Sequence, residues 1–196
     1  MELKEHCKHR FAPVVSALKD LIENTDSDRI IVGIDGRCAS GKTTLGFYLT
    51  DVFDCNLFHM DDFFLRASQR TEERLAEVGG NVDYERFKET VVDPILAGKQ
   101  IVYQPFDCHS MSLKESTIIQ PKRVNIIEGS YSHHPYFGDI YDLKVVTDID
   151  ADTQQKNIIK RNGIEQLKDF NDKWIPKEEA YFKKFNLGAD ALKIMW

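Results

Sequence analysis

Residues 36–43 constrain the fold of this chain more than any other feature. They read Gly36-Arg37-Cys38-Ala39-Ser40-Gly41-Lys42-Thr43 and match the pattern Gly-x-x-x-x-Gly-Lys-(Ser/Thr). A β-branched apolar run over 29–35 precedes the pattern, and apolar residues at helical spacing follow it over 42–53. Between a strand and a helix, such a segment points several backbone N–H groups and a helix N-terminus at one anion. The sequence therefore predicts a phosphate-binding loop.

Each constrained position of this loop has a physical role. Gly36 and Gly41 supply backbone conformations and a close approach that a side chain would block. Lys42 places a positive charge on the β- and γ-phosphates of a nucleotide, and the Thr43 hydroxyl is placed for Mg²⁺. We therefore expect ATP and Mg²⁺ as cofactors. The predicted ATP-binding residues are Gly36, Arg37, Cys38, Ala39, Ser40, Gly41, Lys42, Thr43 and Thr44.

Strand-like and helix-like segments alternate along the chain. The apolar or β-branched runs that favour buried strands lie at 29–35, 56–60, 123–127, 143–148 and 189–195. Apolar residues at helical spacing lie at 42–53, 83–96, 152–162 and 172–185. Alternating strands and helices form a mostly parallel sheet with helices on both faces. The sequence therefore predicts an α/β fold, the three-layer sandwich of P-loop NTPases.

The length of the chain predicts one domain. It has 196 residues, and domains most often contain about 100–150. We expect residues 1–196 to form a single P-loop domain, in which residues 1–24 contain an amphipathic lead-in helix. Residues 66–80 are charged and end in two glycines, which is typical of a mobile excursion, and they are a candidate lid.

Charge and composition limit the class of partner. The formal net charge is -6, which argues against broad binding to nucleic acid or anionic lipid, since both need a basic surface. No run approaches the ~18 apolar residues of a membrane span, and the four cysteines include no Cys-x-x-Cys pair. We therefore expect a cytoplasmic protein with reduced thiols and a small-molecule partner, without nucleic acid or membrane. Assembly into a homo-oligomer stays open.

Acidic residues at strand ends help to distinguish a kinase from other P-loop proteins. Asp61 and Asp62 follow the second predicted strand, and Glu128 follows the run 123–127. The carboxyl ends of parallel strands gather ligands. A kinase needs one carboxylate to take the proton of an acceptor hydroxyl and a second acidic group to hold Mg²⁺. One of the aspartates can serve the first purpose, and Thr43, Asp61 and Glu128 are the predicted metal ligands.

Five further segments carry a resemblance to a known family. They are Met60-Asp61-Asp62-Phe63-Phe64, Asn81-Val82-Asp83, Gln104-Pro105-Phe106-Asp107, Ile127-Glu128-Gly129 and Asp148-Ile149-Asp150-Ala151-Asp152-Thr153. Together with the loop they resemble the uridine kinase and phosphoribulokinase family of P-loop kinases, to which bacterial pantothenate kinase also belongs. The resemblance spans most of the chain. It implies transfer of the ATP γ-phosphoryl group to a hydroxyl of a small molecule, with a nucleoside such as uridine as the first acceptor to test.

The resemblance also implies roles for individual residues. Asp61 takes the place of the family's catalytic base, and Lys42 and Arg161 complete the expected catalytic set. Arg161 lies in the helix whose arginines close over the phosphates in the family, so residues 152–170 are a second candidate lid. The residues implied in acceptor binding are Asp61, Phe64, Asp83, Phe106 and His109.

The chain departs from the family pattern in several places, and two alternatives follow. Phe64 replaces the usual Tyr, Asn157 replaces an expected Arg of the lid helix, residues 162–165 lack the further basic cluster, and the segment after Asp107, with Cys108 and His109, is altered. One alternative is a kinase of the same fold that acts on a sugar phosphate or a pantothenate-like alcohol, with Arg66 and Arg70 near an anionic acceptor. The other is a P-loop ATPase or switch that has no small-molecule acceptor.

Overall fold

Five parallel strands form the central sheet of a computed structural model that describes residues 2–196, with side chains from residue 7 onward. The strands are β1 (Ile30–Gly36), β2 (Cys55–His59), β3 (Ile101–Tyr103), β4 (Phe106–Asp107), β5 (Ser112–Leu113), β6 (Thr117–Ile119), β7 (Val124–Glu128), β8 (Leu143–Asp148) and β9 (Leu192–Met195). The order in the central sheet is β2-β7-β1-β8-β9, while β3 with β6 and β4 with β5 form small antiparallel pairs. The carboxyl ends of β1, β2 and β7 therefore meet at one edge.

The helices connect these strands and flank the sheet. They are α1 (Glu2–Asn24), α2 (Lys42–Val52), α3 (Glu72–Ala76), α4 (Tyr84–Phe87), α5 (Asp93–Leu96), α6 (Ala151–Asn162), α7 (Ile164–Asp169) and α8 (Ile175–Phe185). π-helical turns at Lys88–Val92 and Phe170–Trp174 join α4 to α5 and α7 to α8. The predicted lead-in helix corresponds to α1, and residue 1 lies outside the described residues. Within residues 2–196, no helix combines the length and apolarity needed to cross a bilayer.

Apolar side chains cover both faces of the central sheet. On one face, Leu18 of α1 and Leu45 of α2 pack with Ile126 of β7. On the other face, Phe87 of α4 and Tyr181 of α8 belong to the cluster that contains Ile127. Adjacent strand residues point to opposite faces, so a continuously apolar strand needs a helical layer on each side. The predicted three-layer α/β fold is confirmed.

Asp35, the residue before Gly36, anchors the edge of the sheet at which the loop begins. Its side chain is fully buried at the end of β1. It accepts hydrogen bonds from the backbone N–H groups of Gly36 (2.7 Å), Tyr131 (3.2 Å) and His133 (2.9 Å) and from the Tyr181 hydroxyl (2.8 Å). One carboxylate therefore holds together the start of the phosphate loop, the segment after β7 and helix α8.

Replacing Asp35 with alanine is expected to destabilise the fold strongly. The change leaves the four buried donors without their acceptor, and each unsatisfied buried donor costs about 1–3 kcal/mol. The free energy of unfolding, measured by urea denaturation, should fall by at least about 3 kcal/mol. The matched control is Asp26→Ala, because Asp26 is exposed. A loss equal to that of the control would contradict this anchoring role.

Candidate active site

The segment Gly36–Thr43 forms a compact loop between β1 and α2. Gly36 has φ 142°, and a Cβ atom there would lie 2.0 Å from the backbone oxygen of Thr147, so only glycine fits. Gly41 has φ 89° and precedes the first residue of α2. The Lys42 side chain is buried, and its Nζ donates to the backbone oxygens of Gly36 (2.8 Å) and Arg37 (2.9 Å). The lysine thus lies folded over the loop, at the start of the helix.

Thr43 and Glu128 meet across the carboxyl ends of β1 and β7. The Thr43 hydroxyl donates to the Glu128 carboxylate at 3.1 Å, and Glu128 is 4% exposed. A hydroxyl and a carboxylate on one spot are hard oxygen ligands of the kind that Mg²⁺ prefers, and Mg²⁺ usually keeps several waters and binds through few protein groups. The donor set therefore fits the predicted metal. No cluster of three or more His, Cys, Asp or Glu residues suited to a metal exists within the described side chains.

His59, the last residue of β2, is a partner of Glu128 that the sequence did not reveal. Its Nδ1 lies in hydrogen-bond contact with Glu128 Oε1. This hydrogen bond raises the pKa of His59, against the opposing effect of burial. The contact fixes the orientation of the carboxylate that faces Thr43. No local sequence signal marks it, because β2 and β7 are neighbours only in the folded sheet.

Replacing His59 with alanine is expected to weaken Mg²⁺ binding. Groups that orient a metal ligand typically contribute 10–100-fold to metal affinity, so we expect the half-saturating Mg²⁺ concentration for ATP binding to rise about tenfold. Isothermal titration with ATP at a series of Mg²⁺ concentrations measures the shift. His9→Ala is the matched control, because His9 is exposed. An unchanged Mg²⁺ dependence would show that Glu128 does not need His59.

Asp61 lies in the turn Met60–Asp62 that ends β2, and its carboxylate faces the cavity beside the loop. The Asp61 side chain is exposed to solvent. Partial desolvation by the groups around it raises its pKa; Lys42 and Arg161 oppose the rise, and Glu128 adds to it. Its neighbour Asp62 instead accepts a hydrogen bond from the Tyr103 hydroxyl at 2.6 Å. Of the two aspartates, only Asp61 lines the cavity.

A cavity of about 660 Å³ collects most of the predicted site residues. One wall consists of loop residues, and Asp61, Phe64 and Glu128 line it at the ends of β2 and β7. Residues of α6, of the π-helical turn before α8 and of α8 itself also line it. The lining residues from that part of the chain are Asn157, Lys160, Arg161, Phe170, Trp174 and Glu178. No residue of the first candidate lid, 66–80, is part of the wall.

Helix α6 contacts the loop through amides. Asn157 Nδ2 donates to the backbone oxygen of Ala39 at 3.1 Å, and Gln154 Nε2 donates to that of Cys38 at 3.1 Å. At position 157 the resemblance predicts an arginine, but the asparagine found there binds the loop backbone. The cations of α6 that line the cavity are Lys160 and Arg161.

Three of the implied acceptor-binding residues lie away from the cavity wall. Asp83 is fully buried, caps α4 by accepting the N–H of Arg86, and has the guanidinium groups of Arg66 and Arg86 3.6 and 3.5 Å away. Phe106 is buried in β4, and His109 is exposed in the turn that follows β4. Phe64 does line the cavity, as does Asn81, which the sequence analysis did not assign to the site.

The parallel sheet, the loop and the flanking helices define the class of fold, which is that of the P-loop kinases. The structure is similar to that of a protein from Bacillus stearothermophilus described as a possible uridine kinase, with a TM-score of 0.69 and 20% identity over 99% of this chain and 100% of that one. It is also similar to a D-glycerate 3-kinase from Cryptococcus neoformans, with a TM-score of 0.60 and 17% identity over 89% of this chain and 87% of that one.

Comparison of sequences finds similarity to a nucleoside kinase. The chain is 25% identical over 137 residues to uridine-cytidine kinase C of Dictyostelium discoideum. The match covers 69% of this chain but only 30% of that protein. No family model matches the chain. The resemblance to uridine kinase-like P-loop kinases that the motifs predicted is confirmed.

Proposed function

We propose that this protein transfers the γ-phosphoryl group of ATP to a hydroxyl group of a small, uncharged molecule, with a nucleoside as the first acceptor class. One observation carries the proposal: Lys42, the Thr43–Glu128 pair and Asp61 line one cavity. A phosphate-binding cation, a pair of oxygen ligands for Mg²⁺ and a carboxylate base are the groups that phosphoryl transfer to an alcohol requires.

Each group has a distinct task in this proposal. Lys42 neutralises charge on the β- and γ-phosphates, and Arg161 does so from the α6 side of the cavity. Asp61 orients the acceptor hydroxyl and takes its proton, while the acceptor oxygen bonds to the γ-phosphorus and the bond to the β–γ bridging oxygen breaks, leaving ADP. The raised pKa of Asp61 makes it a stronger base. Thr43 and Glu128 would hold Mg²⁺, which would neutralise negative charge on the phosphates.

The charges around the cavity favour an uncharged acceptor over a phosphorylated one. The two arginines considered for an anionic acceptor are engaged elsewhere. Arg66 Nε lies 3.6 Å from Asp83, and Arg70 Nε donates to the backbone oxygen of Leu65 at 3.0 Å. Neither lines the cavity, whereas the carboxylates of Asp61 and Glu178 do. Lys42, Lys160 and Arg161 also line the cavity, and in this proposal the phosphates of ATP bind them. A phosphate group in the acceptor would therefore meet the acidic groups that remain.

Two other functions are the alternatives to this proposal. The first is a kinase of the same fold that uses an anionic or pantothenate-like acceptor, and the structural similarity to a D-glycerate 3-kinase is the observation in its favour. The second is an ATPase or switch in which Asp61 positions water. The lining beside the loop argues against it, because Phe64 and Asn81 lie there with Asp61, and hydrolysis of ATP alone needs no such contacts.

The test is Mg²⁺-dependent release of ADP from ATP across a panel of nucleosides, sugars, sugar phosphates, D-glycerate and pantothenate. We expect one uncharged alcohol to raise the rate far above the rate with ATP alone, and Asp61→Asn to remove that gain. A single rate with every addition would overturn the proposal in favour of the ATPase. If the enzyme prefers a phosphorylated or carboxylated acceptor, the uncharged acceptor class proposed above is wrong and an anionic class takes its place.

A cytoplasmic location is part of the same proposal. All four cysteines, Cys7, Cys38, Cys55 and Cys108, are free thiols in the structure. Burial raises the pKa of Cys38, which lies within the loop, to about 12, so this thiol stays protonated and unreactive at neutral pH. These features suit a reducing compartment that supplies ATP.

A further inference from the structure

A buried carboxylate from helix α8 lies directly against the phosphate loop. Glu178 is 4% exposed. Its Oε2 accepts the backbone N–H of Cys38 at 2.9 Å, and its Oε1 accepts the hydroxyl of Ser130 at 2.7 Å. Among the described side chains, no Lys, Arg or His forms an ion pair with Glu178 within 4.0 Å. A buried charge usually has a counter-charge, so this one is exceptional.

Glu178 lies in the cavity that the γ-phosphate of a bound nucleotide must enter. The transferred phosphoryl group must lie between Lys42 of the loop and Asp61, and Glu178 lines the same cavity as both. One of its two partners, Cys38, lies in the loop, and the other, Ser130, follows the Glu128–Gly129 pair at the end of β7. Desolvation is the main cause of the raised pKa of Asp61, and the charges of Glu128 and Glu178 add to it.

Helix α8 contacts the loop through the next residue as well. Glu179 accepts from Nε (2.8 Å) and Nη2 (3.0 Å) of Arg37, and Arg37 Nη1 donates to Asp148 at 2.6 Å. The bidentate pair with Glu179 connects the loop to α8, and the contact with Asp148 connects it to β8. The carboxylate of Glu178 is therefore held at the loop by its own hydrogen bonds and by the neighbouring ion pair.

We propose that Glu178 competes with the γ-phosphate for the phosphate loop, so that this protein binds ADP more readily than ATP until Glu178 withdraws. The proposal rests on ATP binding at the loop, which is part of the proposed function, but not on the identity of the acceptor. A carboxylate that accepts the Cys38 N–H, one of the loop's backbone donors, repels an incoming phosphate at close range in a partly desolvated cavity. ADP lacks the γ-phosphate and avoids most of this repulsion.

Glu178→Gln separates the charge from the hydrogen bonds. The Gln carbonyl oxygen still accepts the Cys38 N–H, and its amide can donate to Ser130, whose hydroxyl both donates and accepts. We expect the Kd for Mg²⁺-ATP to fall about tenfold, while the Kd for ADP changes less than about twofold. Isothermal titration gives both constants. The control is Glu165→Gln, which removes an exposed charge of the same sign from α7.

Three outcomes overturn the proposal: weaker ATP binding in Glu178→Gln, equal changes for ATP and ADP, or the same change in Glu165→Gln. The ratio of the two dissociation constants is internal to each variant, so a modest loss of stability does not imitate the expected result. Glu178→Ala, tested in parallel, should show the same direction. A failure of the acceptor panel leaves these binding constants measurable, so the two proposals fail separately.

Discussion

Replacing Lys42 with alanine is expected to reduce phosphoryl transfer about 100- to 1,000-fold and to weaken ATP binding with it. Lys42 is the buried cation of the loop, and its Nζ already lies 2.8 Å from the Gly36 backbone oxygen. Without it, the developing charge on the phosphates would face only backbone N–H groups and the cations of α6. Initial rates of ADP release and calorimetric ATP titration measure the two effects.

The matched control for this change is Lys19→Ala, because Lys19 is an exposed lysine of α1. Lys42→Arg is the informative second variant. A guanidinium keeps the charge but is larger and planar, and it does not replace a compact ammonium in a closed loop. We expect it to recover little activity. Activity within about threefold of the unmodified protein in Lys42→Ala would mean that the loop does not hold the reacting phosphates, which contradicts the proposed function.

The sequence predicted the phosphate loop because every part of its signal is local. The strand over 29–35, the two glycines and the helix over 42–53 are consecutive, and Gly36 and Gly41 hold the positive φ angles that such a turn requires. The buried parallel strands were predictable for the same reason, because each is a short local run of apolar residues. Residue 128 ends β7 as a buried acid, and its proximity to the loop followed from the rule that parallel strands gather ligands at their carboxyl ends.

The residues that were missed depend on contacts between distant segments. Glu178 belongs to a charged stretch that looks like an exposed helix face, and only the packing of α8 against the loop buries it. His59 looks like an ordinary strand residue in the sequence, because only the pairing of β2 with β7 places it beside Glu128. The resemblance could not find either residue, because neither belongs to a segment on which it rests.

The resemblance was also less informative about the acceptor than about the nucleotide. It implied Asp83, Phe106 and His109, which do not line the cavity, while Asn81 and Tyr131 do. Their motifs differ from the family pattern, and their side chains depend on loops and small antiparallel strands whose course is not fixed by local signals. Acceptor binding by those three residues stays a prediction, and the acceptor panel with variants at each position would test it.

Replacing Asp61 with asparagine is expected to separate chemistry from nucleotide binding. The amide cannot accept the proton of the acceptor hydroxyl, and loss of a positioned general base typically reduces kcat about 100- to 10,000-fold. The Kd for ATP should change little, because Asp61 lies outside the loop and the proposed function assigns Mg²⁺ to Thr43 and Glu128. A large rise in this Kd would return Asp61 to the predicted metal ligands. Single-turnover measurements with the best acceptor of the panel, alongside calorimetric ATP titration, give the two quantities.

Asp62→Asn provides the closest control for this separation, since it makes the same chemical change one residue away. The Asp62 carboxylate accepts a hydrogen bond from the Tyr103 hydroxyl at 2.6 Å and does not line the cavity. Its replacement by an amide therefore changes a packing contact and leaves the cavity lining as it is. If Asp62→Asn lowers kcat as much as Asp61→Asn does, the turn at the end of β2 acts through its conformation, and neither aspartate is the base. If only Asp61→Asn lowers the rate of transfer to the acceptor, and ATP binding is retained, the Asp61 carboxylate takes the proton of the acceptor hydroxyl.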